Sequence, residues 1–410
     1  MKKYIDRISG VVPNTTKAID IDLNGRNLIV TGANGSGKTC FLRELHRQID
    51  AIIAGSGHKI LSSYEREYQK SAEALLTLEK GSEQYKMHDY KCRDIKNSID
   101  KFHESLRLEI SNSVDFSSRY DARVAVISFF DAHRKSDIEE ATTAKGIESE
   151  RSNIKKQGVT IPLGNNLEQH LVNLRNRRSL AITEENDDEL ASKISDWFKY
   201  FEENLKLLLE DETAKLKFEP GTLKFTISQQ NKPEYTFQSL SSGYQAIFDI
   251  YADLLMRTEY FEVTPSELVG AVLVDEIDAH LHVSLQRLIL PFFTQSFPNV
   301  QFIVTTHSPF VLMSAEDSVI FDLSKNEQID EDISMYSHTS IIEGLLETKT
   351  TSQRLDKYTR ELAEIVSSDD INYPRLETIL NKLRGNYSTL DSKSKSFFMM
   401  GESALLDKEQ

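Results

Sequence analysis

Cysteine is scarce in this 410-residue chain, and long hydrophobic runs are lacking. Its two cysteines, Cys40 and Cys92, are too few for the disulfide framework of a small secreted domain. An apolar N-terminal signal and an apolar stretch of membrane length are both missing, so secretion and membrane contact are not expected. We therefore expect a cytoplasmic protein with enough residues for a large core and accessory subregions.

Positive charge is also in short supply. Lysine and arginine number 49 against 64 aspartates and glutamates, which gives a formal net charge of −15. The surface as a whole would therefore repel nucleic acid. A local basic cluster remains at Arg175, Arg177 and Arg178, at the end of a predicted helix. It is interpreted either as a solvated helix end or as a contact to DNA, RNA or an acidic partner surface.

The most informative stretch that is present is a glycine-rich loop. It follows the apolar strand 28–30 and opens a helix that continues from Phe41. Glycine lets several backbone N–H groups face one anion, and the helix N-terminus adds positive potential there. Lys38 is placed to reach the β- and γ-phosphates of ATP, and the Thr39 hydroxyl is placed to bind Mg²⁺. The predicted nucleotide-binding residues are Gly32, Asn34, Gly35, Ser36, Gly37, Lys38, Thr39 and Cys40.

Two further apolar strands end in polar side chains suited to nucleotide hydrolysis. The uncharged run 269–274 leads into Asp275 and Glu276, and the run 301–306 leads into His307. A carboxylate at the end of a core strand beside a phosphate loop is where Mg²⁺ is held, which assigns Asp275 to the metal. Glu276 is the candidate general base for the attacking water. His307 is a candidate sensor of the γ-phosphate, although a histidine at a strand end is commonly structural. The candidate catalytic residues are Lys38, Glu276 and His307.

A serine-rich segment, 240–245, stands at the start of an apolar helix. Taken in order, the phosphate loop, this segment, the acidic strand and the histidine resemble the ATP-binding-cassette (ABC) heads of the SMC, Rad50, RecF and OLD group. The resemblance implies that ATP and Mg²⁺ are the cofactors. It also implies that Ser241, Ser242 and Gly243 form a signature motif acting in trans, on ATP held by a second copy of the chain. The chain would then form head-to-head dimers or higher oligomers.

The sequence departs from that family pattern at several positions. Ser242 stands where the family usually has glycine, and His282 stands where transporter-type heads carry aspartate. The stretch 127–134 lies where the glutamine loop belongs but contains no glutamine. These departures leave ATP binding in place and predict slow hydrolysis or an ATP-gated switch.

The predicted fold class is α/β, an ABC-type head with a RecA-like mixed sheet and N-terminal antiparallel strands. Short helical insertions interrupt this head, and a helical tail follows it. The predicted domains are a discontinuous head, a short coiled-coil hairpin, a mobile loop with a helical insertion, and a helical C-terminal region. The head comprises residues 1–60, 120–134 and 213–325, and the hairpin comprises residues 61–119. The mobile loop with its helical insertion comprises residues 135–212, and the C-terminal region comprises residues 326–410.

No nuclease of its own is expected from this sequence. His-Asn-His and zinc-like Cys/His patterns are not visible. Glu343–Gly344 superficially matches the start of a TOPRIM nuclease, but an Asp-x-Asp strand does not follow. Asp369 and Asp370 instead lie in a polar turn. If nucleic acid is cut, a partner subunit is expected to cut it.

Compact insertions, the His-Leu-His variant at 280–282 and the helical tail give a narrower resemblance. In these features the chain is similar to the Septu-type anti-phage ATPases, the PtuA family, including the form encoded beside retrons. That resemblance implies an HNH nuclease partner of the PtuB type. In retron-linked forms it also implies a reverse transcriptase with its RNA–DNA product. The alternatives are a DNA-repair ATPase of the RecF or Rad50 kind, and a scaffold that binds ATP and hardly hydrolyses it.

Overall fold

The computed structural model describes residues 3–104, 106–157, 161–314, 316–329, 333, 341, 344, 352–368 and 371–408. Two compact units are present, Met1–Tyr336 and Ser337–Gln410. Glu343, Asp369 and Asp370, which bear on the nuclease prediction, lie outside the described residues. Within the part of the chain that is described, no helix combines the length and apolarity that crossing a membrane requires.

The first unit alternates strands and helices. Its strands are β1 (Ile5–Val11), β2 (Ala18–Asp22), β3 (Asn27–Thr31), β4 (Arg107–Ile110), β5 (Ala125–Phe130), β6 (Lys215–Glu219), β7 (Lys224–Ser228), β8 (Val269–Val274), β9 (Val300–Thr305), β10 (Ser318–Asp322) and β11 (Glu327–Ile329). Its helices are α1 (Lys38–Ile53), α2 (Ser56–Thr77), α3 (Glu83–Glu104), α4 (Ser113–Asp121), α5 (Ile147–Lys155), α6 (Leu167–Leu180), α7 (Asp188–Leu209), α8 (Ser242–Phe261), α9 (Val283–Ser296) and α10 (Pro309–Met313).

The central sheet has six strands in the order β11-β10-β3-β9-β8-β5. All neighbouring pairs are parallel except the edge pair of β10 and β11. Every residue of β3, β8 and β9 is buried, which explains why these strands are rich in apolar residues and contain no charged one. Because parallel strands end at the same edge of a sheet, the predicted motifs after β3, β8 and β9 meet there.

A second, antiparallel sheet has the order β2-β1-β4. One part of the head core joins both sheets to α1, whose side chains at Phe41, Leu42, Leu45 and Ile49 are fully buried. Burial of each such side chain stabilises the fold by about 1.5–3 kcal/mol. A mixed sheet, antiparallel N-terminal strands and helical insertions are therefore present, and the predicted fold class is confirmed.

The helical hairpin is formed by α2 and α3, and Cys92 and Ile95 of α3 are buried. The structure differs from the sequence-based boundaries at the end of this insertion. β4 lies inside the stretch predicted as hairpin, yet it pairs with β1. α4 follows it and buries Phe116 and Tyr120 in the head core. Four- and nine-residue elements are too short to give a clear period in the sequence.

The stretch predicted as a mobile polar loop, from residue 135 onward, contains ordered structure. Ile138 and Ala141 are buried, and α5 follows them. The main chain before α5 contacts α6 through side-chain hydrogen bonds and not through regular backbone pairing. For example, the Lys145 backbone amide donates to the Asn173 side-chain carboxamide. Such irregular contacts leave no periodic pattern, which is why the sequence did not predict them. Aromatic side chains of α7 pack in the core, where Phe198 and Phe201 are buried.

The second unit contains α11 (Gln353–Val366), α12 (Tyr373–Arg384) and α13 (Ser392–Lys408). A small core of its own holds these helices together. Its buried members are Leu362, Leu376, Ile379, Leu380, Leu383, Leu390 and Phe398. The helical character predicted for the C-terminal region is confirmed for these segments. β11 lies within the predicted 326–410 region but pairs with β10 of the head.

Candidate nucleotide-binding site

The phosphate loop joins β3 to α1, as its sequence context predicts. Gly35 and Gly37 have φ angles of +77° and +103°, a region that favours glycine and lets the loop turn tightly. The Lys38 ammonium is buried and donates to the carbonyl oxygens of Gly32 and Ala33 at 2.8 and 3.1 Å. Burial lowers the pKa of Lys38, and the neighbouring carboxylates of Glu276 and Asp275 oppose that change.

The loop is fixed to the neighbouring strand on one side. The Ala33 amide donates to the Ser324 hydroxyl at 2.6 Å, just after β10. The Ser36 hydroxyl is buried and has no hydrogen-bond partner among the residues that the structure describes. Asn34 and Gly35 are exposed, and Cys40 is half-buried, with its Sγ 3.9 Å from the side-chain Nδ2 of Asn14. These features fit a loop shaped for a phosphate chain.

The predicted metal ligands lie side by side. The Thr39 hydroxyl donates to the Asp275 carboxylate at 2.7 Å, and the Thr305 hydroxyl donates to the other carboxylate oxygen at 2.6 Å. The Thr305 hydroxyl in turn accepts the Glu276 amide at 2.7 Å. Hydroxyl and carboxylate oxygens are the ligands that Mg²⁺ prefers. Thr39 and Asp275 therefore fit the metal role that the sequence predicts for them.

Glu276 projects from an unusual backbone position. It directly follows Asp275 and has a φ of +44°, in the left-handed region that a residue with a side chain rarely adopts. Its side chain is exposed, whereas Asp275 is 3% exposed. The two adjacent carboxylates thus differ as the proposed roles require. The Asp275 carboxylate is held in a network of hydrogen bonds, and the Glu276 carboxylate is accessible.

His307 follows β9 and is half-buried. Burial lowers the pKa of its imidazole, and the nearby Lys38 ammonium lowers it further. Both effects favour the neutral form of the ring, which can offer one N–H as a hydrogen-bond donor. Next to it, the Ser308 hydroxyl caps α10 by accepting from the Phe310 amide, which fixes the chain direction after the histidine.

The predicted signature residues form the start of α8. Ser241 and Ser242 are exposed, whereas Gly243 is buried. A Cβ on Gly243 would lie 2.8 Å from the His280 carbonyl oxygen, so only glycine fits this close approach. The signature start therefore contacts the loop that follows the acidic pair. Whether it acts in trans stays a prediction for this single chain.

Sequence reasoning assigned no role to two residues of this site, Thr305 and Arg134. Arg134 belongs to the stretch where a glutamine loop was sought, yet no role was assigned to it. It is 7% exposed, and one of its nitrogens donates to the Asp275 carbonyl at 2.6 Å. Its partners are main-chain carbonyls, which have no residue identity, so the sequence carried no signal beyond the arginine itself.

The basic cluster on α6 has partners within the chain. Arg177 makes two hydrogen bonds to Glu185 at 2.9 and 2.8 Å, and Arg178 donates to the Ser195 hydroxyl. The Arg175 guanidinium lies 4.1 Å from the centre of the Phe198 ring. These contacts neutralise or orient the cluster. The two interpretations, a solvated helix end and a contact to nucleic acid or an acidic surface, both remain.

Fold and site together define a P-loop ATPase head. The family described as "AAA domain, putative AbiEii toxin, Type IV TA system" matches residues 28–314, more than half of the chain. The chain belongs to this family of ATPase domains.

Known proteins similar in sequence carry defence-system names, which confirms the predicted resemblance. The "Retron Ec83 probable ATPase" of Escherichia coli is 34% identical over 178 residues, 40% of this chain and 33% of that protein. "Septu protein PtuA" of Bacillus mycoides (strain KBAB4) is 35% identical over 119 residues, 27% of this chain and 16% of that protein. "Septu protein PtuA" of Bacillus thuringiensis is 30% identical over 145 residues, 33% of this chain and 35% of that protein. The chain therefore matches about a third or less of each relative's length.

Solved structures with a similar chain path include ATPase heads. An SMC head bound to the C-winged helix domain of ScpA covers 79% of this chain and 96% of its own, with a TM-score of 0.37 and 12% identity. A nucleotide-free ATP-binding cassette from an ABC transporter covers 80% of this chain and 90% of its own, with a TM-score of 0.30 and 12% identity.

Replacement of Lys38 by alanine is expected to abolish measurable ATP binding. The charged hydrogen bonds of this ammonium to phosphate oxygens contribute about 1.5–3 kcal/mol each, so affinity should fall by about 100-fold or more. Titration with a fluorescent ATP analogue measures the effect, with the exposed Lys215→Ala on β6 as the matched control. Unchanged affinity in Lys38→Ala would remove the phosphate-loop assignment.

Replacement of Asp249 by asparagine is expected to stabilise the protein in a pH-dependent way. Burial raises the pKa of this α8 carboxyl from 3.8 to about 6, with repulsion from Asp253 adding to the rise and Arg134 opposing it. The folded state therefore binds the proton more tightly than the unfolded state, and stability is lost as pH rises through about 6. The variant should gain about 1–2 kcal/mol over wild type at about pH 7.5, after allowance for partial exposure, and little at about pH 4.5.

Thermal or urea unfolding at the two pH values measures this difference. The exposed Asp121→Asn serves as the control for an Asp-to-Asn change. An equal stability gain for Asp249→Asn at both pH values would contradict the titration of Asp249.

Proposed function

We propose that this chain is the ATP-binding and ATP-hydrolysing subunit of a bacterial anti-phage defence complex. The observation that carries the chemistry is the arrangement of Thr39, Asp275 and Thr305 in one hydrogen-bonded row, with Glu276 exposed beside it. The similarity to proteins named as retron and Septu ATPases supports the defence role. The cytoplasm is the proposed location.

Each site residue has a defined task in this proposal. The Lys38 ammonium exchanges its bonds to the loop carbonyls for bonds to phosphate oxygens. Thr39 and Asp275 would hold Mg²⁺, which supplies neutralisation of the phosphate charge when bound. Glu276 accepts a proton from the attacking water, and His307 donates a hydrogen bond near the γ-phosphate.

The nucleotide site also supports pairing of two copies of the chain. Ser241 and Ser242 are exposed at the start of α8, so a second copy can reach them. In a head-to-head dimer, these hydroxyls and the helix N-terminus would contact the phosphate chain held by the other copy. ATP would then join the heads, and hydrolysis would release them. Higher oligomers would add further contacts.

Partners follow from the same relatives and remain proposals for this chain. An HNH nuclease of the PtuB type is proposed as the partner that cuts nucleic acid. A reverse transcriptase with its RNA–DNA product is proposed for a retron-linked form. Arg175, Arg177 and Arg178 are the proposed contact for nucleic acid, in a chain whose net charge is −15.

Replacement of Glu276 by glutamine is expected to lower ATP turnover by about 100-fold or more, because the amide cannot accept the water proton. Nucleotide affinity should be retained, so the variant should accumulate as ATP-joined heads in size-exclusion chromatography with light scattering. Glu219→Gln, an exposed change on β6, is the matched control. Wild-type turnover no faster than that of Glu276→Gln would remove the general-base role and favour the ATP-binding scaffold.

A tagged pull-down from the native operon, with and without ATP, tests the complex. Mass spectrometry and nucleic-acid extraction are expected to recover a nuclease, with a reverse transcriptase and RNA–DNA in a retron-linked system. Recovery of the ATPase alone, with hydrolysis stimulated by added DNA, would contradict the defence complex and favour the RecF or Rad50 type of repair ATPase.

A further inference from the structure

Arg134 clamps the main chain that carries the proposed general base. Its guanidinium donates to three consecutive carbonyl oxygens: that of Asp275 at 2.6 Å, that of Glu276 at 3.1 Å and that of Ile277 at 3.2 Å. A fourth bond reaches the Asp131 carbonyl at 3.1 Å, at the start of the loop after β5. The planar, rigid fork of arginine suits such simultaneous bonds, whereas a lysine ammonium cannot span them in the same way.

The clamped backbone is strained at its central residue. Glu276 has a φ of +44°, and a left-handed conformation costs an L-residue with a side chain about 1–2 kcal/mol. Such a conformation persists only where the surroundings over-determine it. Here Arg134 holds the Glu276 carbonyl, and the Thr305 hydroxyl holds the Glu276 amide. The peptide groups on both sides of the Glu276 Cα are thus fixed.

The position of Arg134 also carries a cost. It is 7% exposed, and burial of a guanidinium is unfavourable unless hydrogen bonds compensate for the lost water. Its Nε has no partner within the described part of the chain, so the compensation is incomplete.

A second arginine, Arg123, provides a comparison for Arg134. Arg123 also donates to three main-chain carbonyls, those of Ile154, Lys155 and Gln157, at 3.2, 2.9 and 2.7 Å. It is half-buried, and its carbonyl partners belong to the α5 segment instead of the nucleotide site.

We propose that Arg134 is a positioning residue for ATP hydrolysis, which fixes the direction of the Glu276 carboxylate by clamping the carbonyls of Asp275, Glu276 and Ile277. This inference rests on the proposed general-base role of Glu276. Arg134 acts through the backbone and need not touch the nucleotide. Its removal lets the strained peptide relax, and misplacement of a reacting group by about 1 Å costs about 100-fold in rate.

Steady-state kinetics and nucleotide titration of Arg134→Ala, Arg134→Lys and Arg123→Ala test the proposal in the full chain. For Arg134→Ala, kcat should fall by about 100-fold while the Kd for an ATP analogue stays within about 2-fold. Arg134→Lys keeps the charge and should still lose about 10-fold or more in kcat. Arg123→Ala removes three carbonyl bonds, the same number that Arg134 makes to Asp275, Glu276 and Ile277, and should leave kcat unchanged. If Arg134→Ala does not fold, Arg134→Lys carries the test.

A double-mutant cycle with Glu276→Gln separates positioning from general stability. If Arg134 acts through Glu276, adding Arg134→Ala to Glu276→Gln should lower the residual rate by less than about 2-fold. The proposal is overturned if a folded Arg134 variant keeps wild-type kcat, if Kd rises as much as kcat falls, or if the two losses multiply. An equal loss in Arg123→Ala also overturns it. Wild-type turnover in Glu276→Gln alone would instead defeat the proposed function.

Discussion

The site depends on one buried carboxylate, that of Asp275, which is hydrogen-bonded on both oxygens. Thr39 at the start of α1 and Thr305 at the end of β9 are its donors, so three separate segments meet on this side chain. A hydrogen bond to a charged group contributes about 1.5–3 kcal/mol, and a buried carboxylate without such bonds would cost several kcal/mol. The register of β8 against β9, which places Val274 beside Val304, brings these groups together.

The second constraint is electrostatic. Asp275, Glu276 and Asp278 lie within a few residues of one another, and Lys38 and Arg134 are the cations that act on them. Both cations are buried, and burial lowers the pKa of each, while the three carboxylates oppose that change. The attraction between the two sets of charges offsets part of the cost of burying the two cations. Lys38 acts from the phosphate loop and Arg134 acts through the main chain, so the carboxylates are held without being neutralised by direct pairing.

The sequence predicted what depends on residue type and spacing. Specific residue types are required at three places, and the sequence therefore showed them: the loop from Gly32 to Thr39, the apolar strands before Asp275 and His307, and the glycine at position 243. The role of Arg134 was not predicted because its partners are carbonyl oxygens, which every residue has. Arg134 is also more than 140 residues from the acidic loop in the sequence, so no local pattern links the two. β4 and α4 were not predicted because they are short. The ordered chain before α5 was not predicted because side-chain hydrogen bonds replace periodic secondary structure there.

The proposed pairing of two heads and the proposed hydrolysis both involve the loop that follows β8. Arg134 holds its first residues, at Asp275 to Ile277, and Gly243 of the signature touches its later part at the His280 carbonyl. The approach at Gly243 leaves no room for a Cβ, so a shift of the first turn of α8 has to be accommodated by His280. The Asp249 carboxylate on the same helix also attracts Arg134. The helix that would present Ser241 and Ser242 to a second copy, in the proposed pairing, is thus connected by contact and by charge to the backbone of Glu276. In that proposal, a contact between two heads would alter the geometry of hydrolysis without any change in the residues that bind ATP.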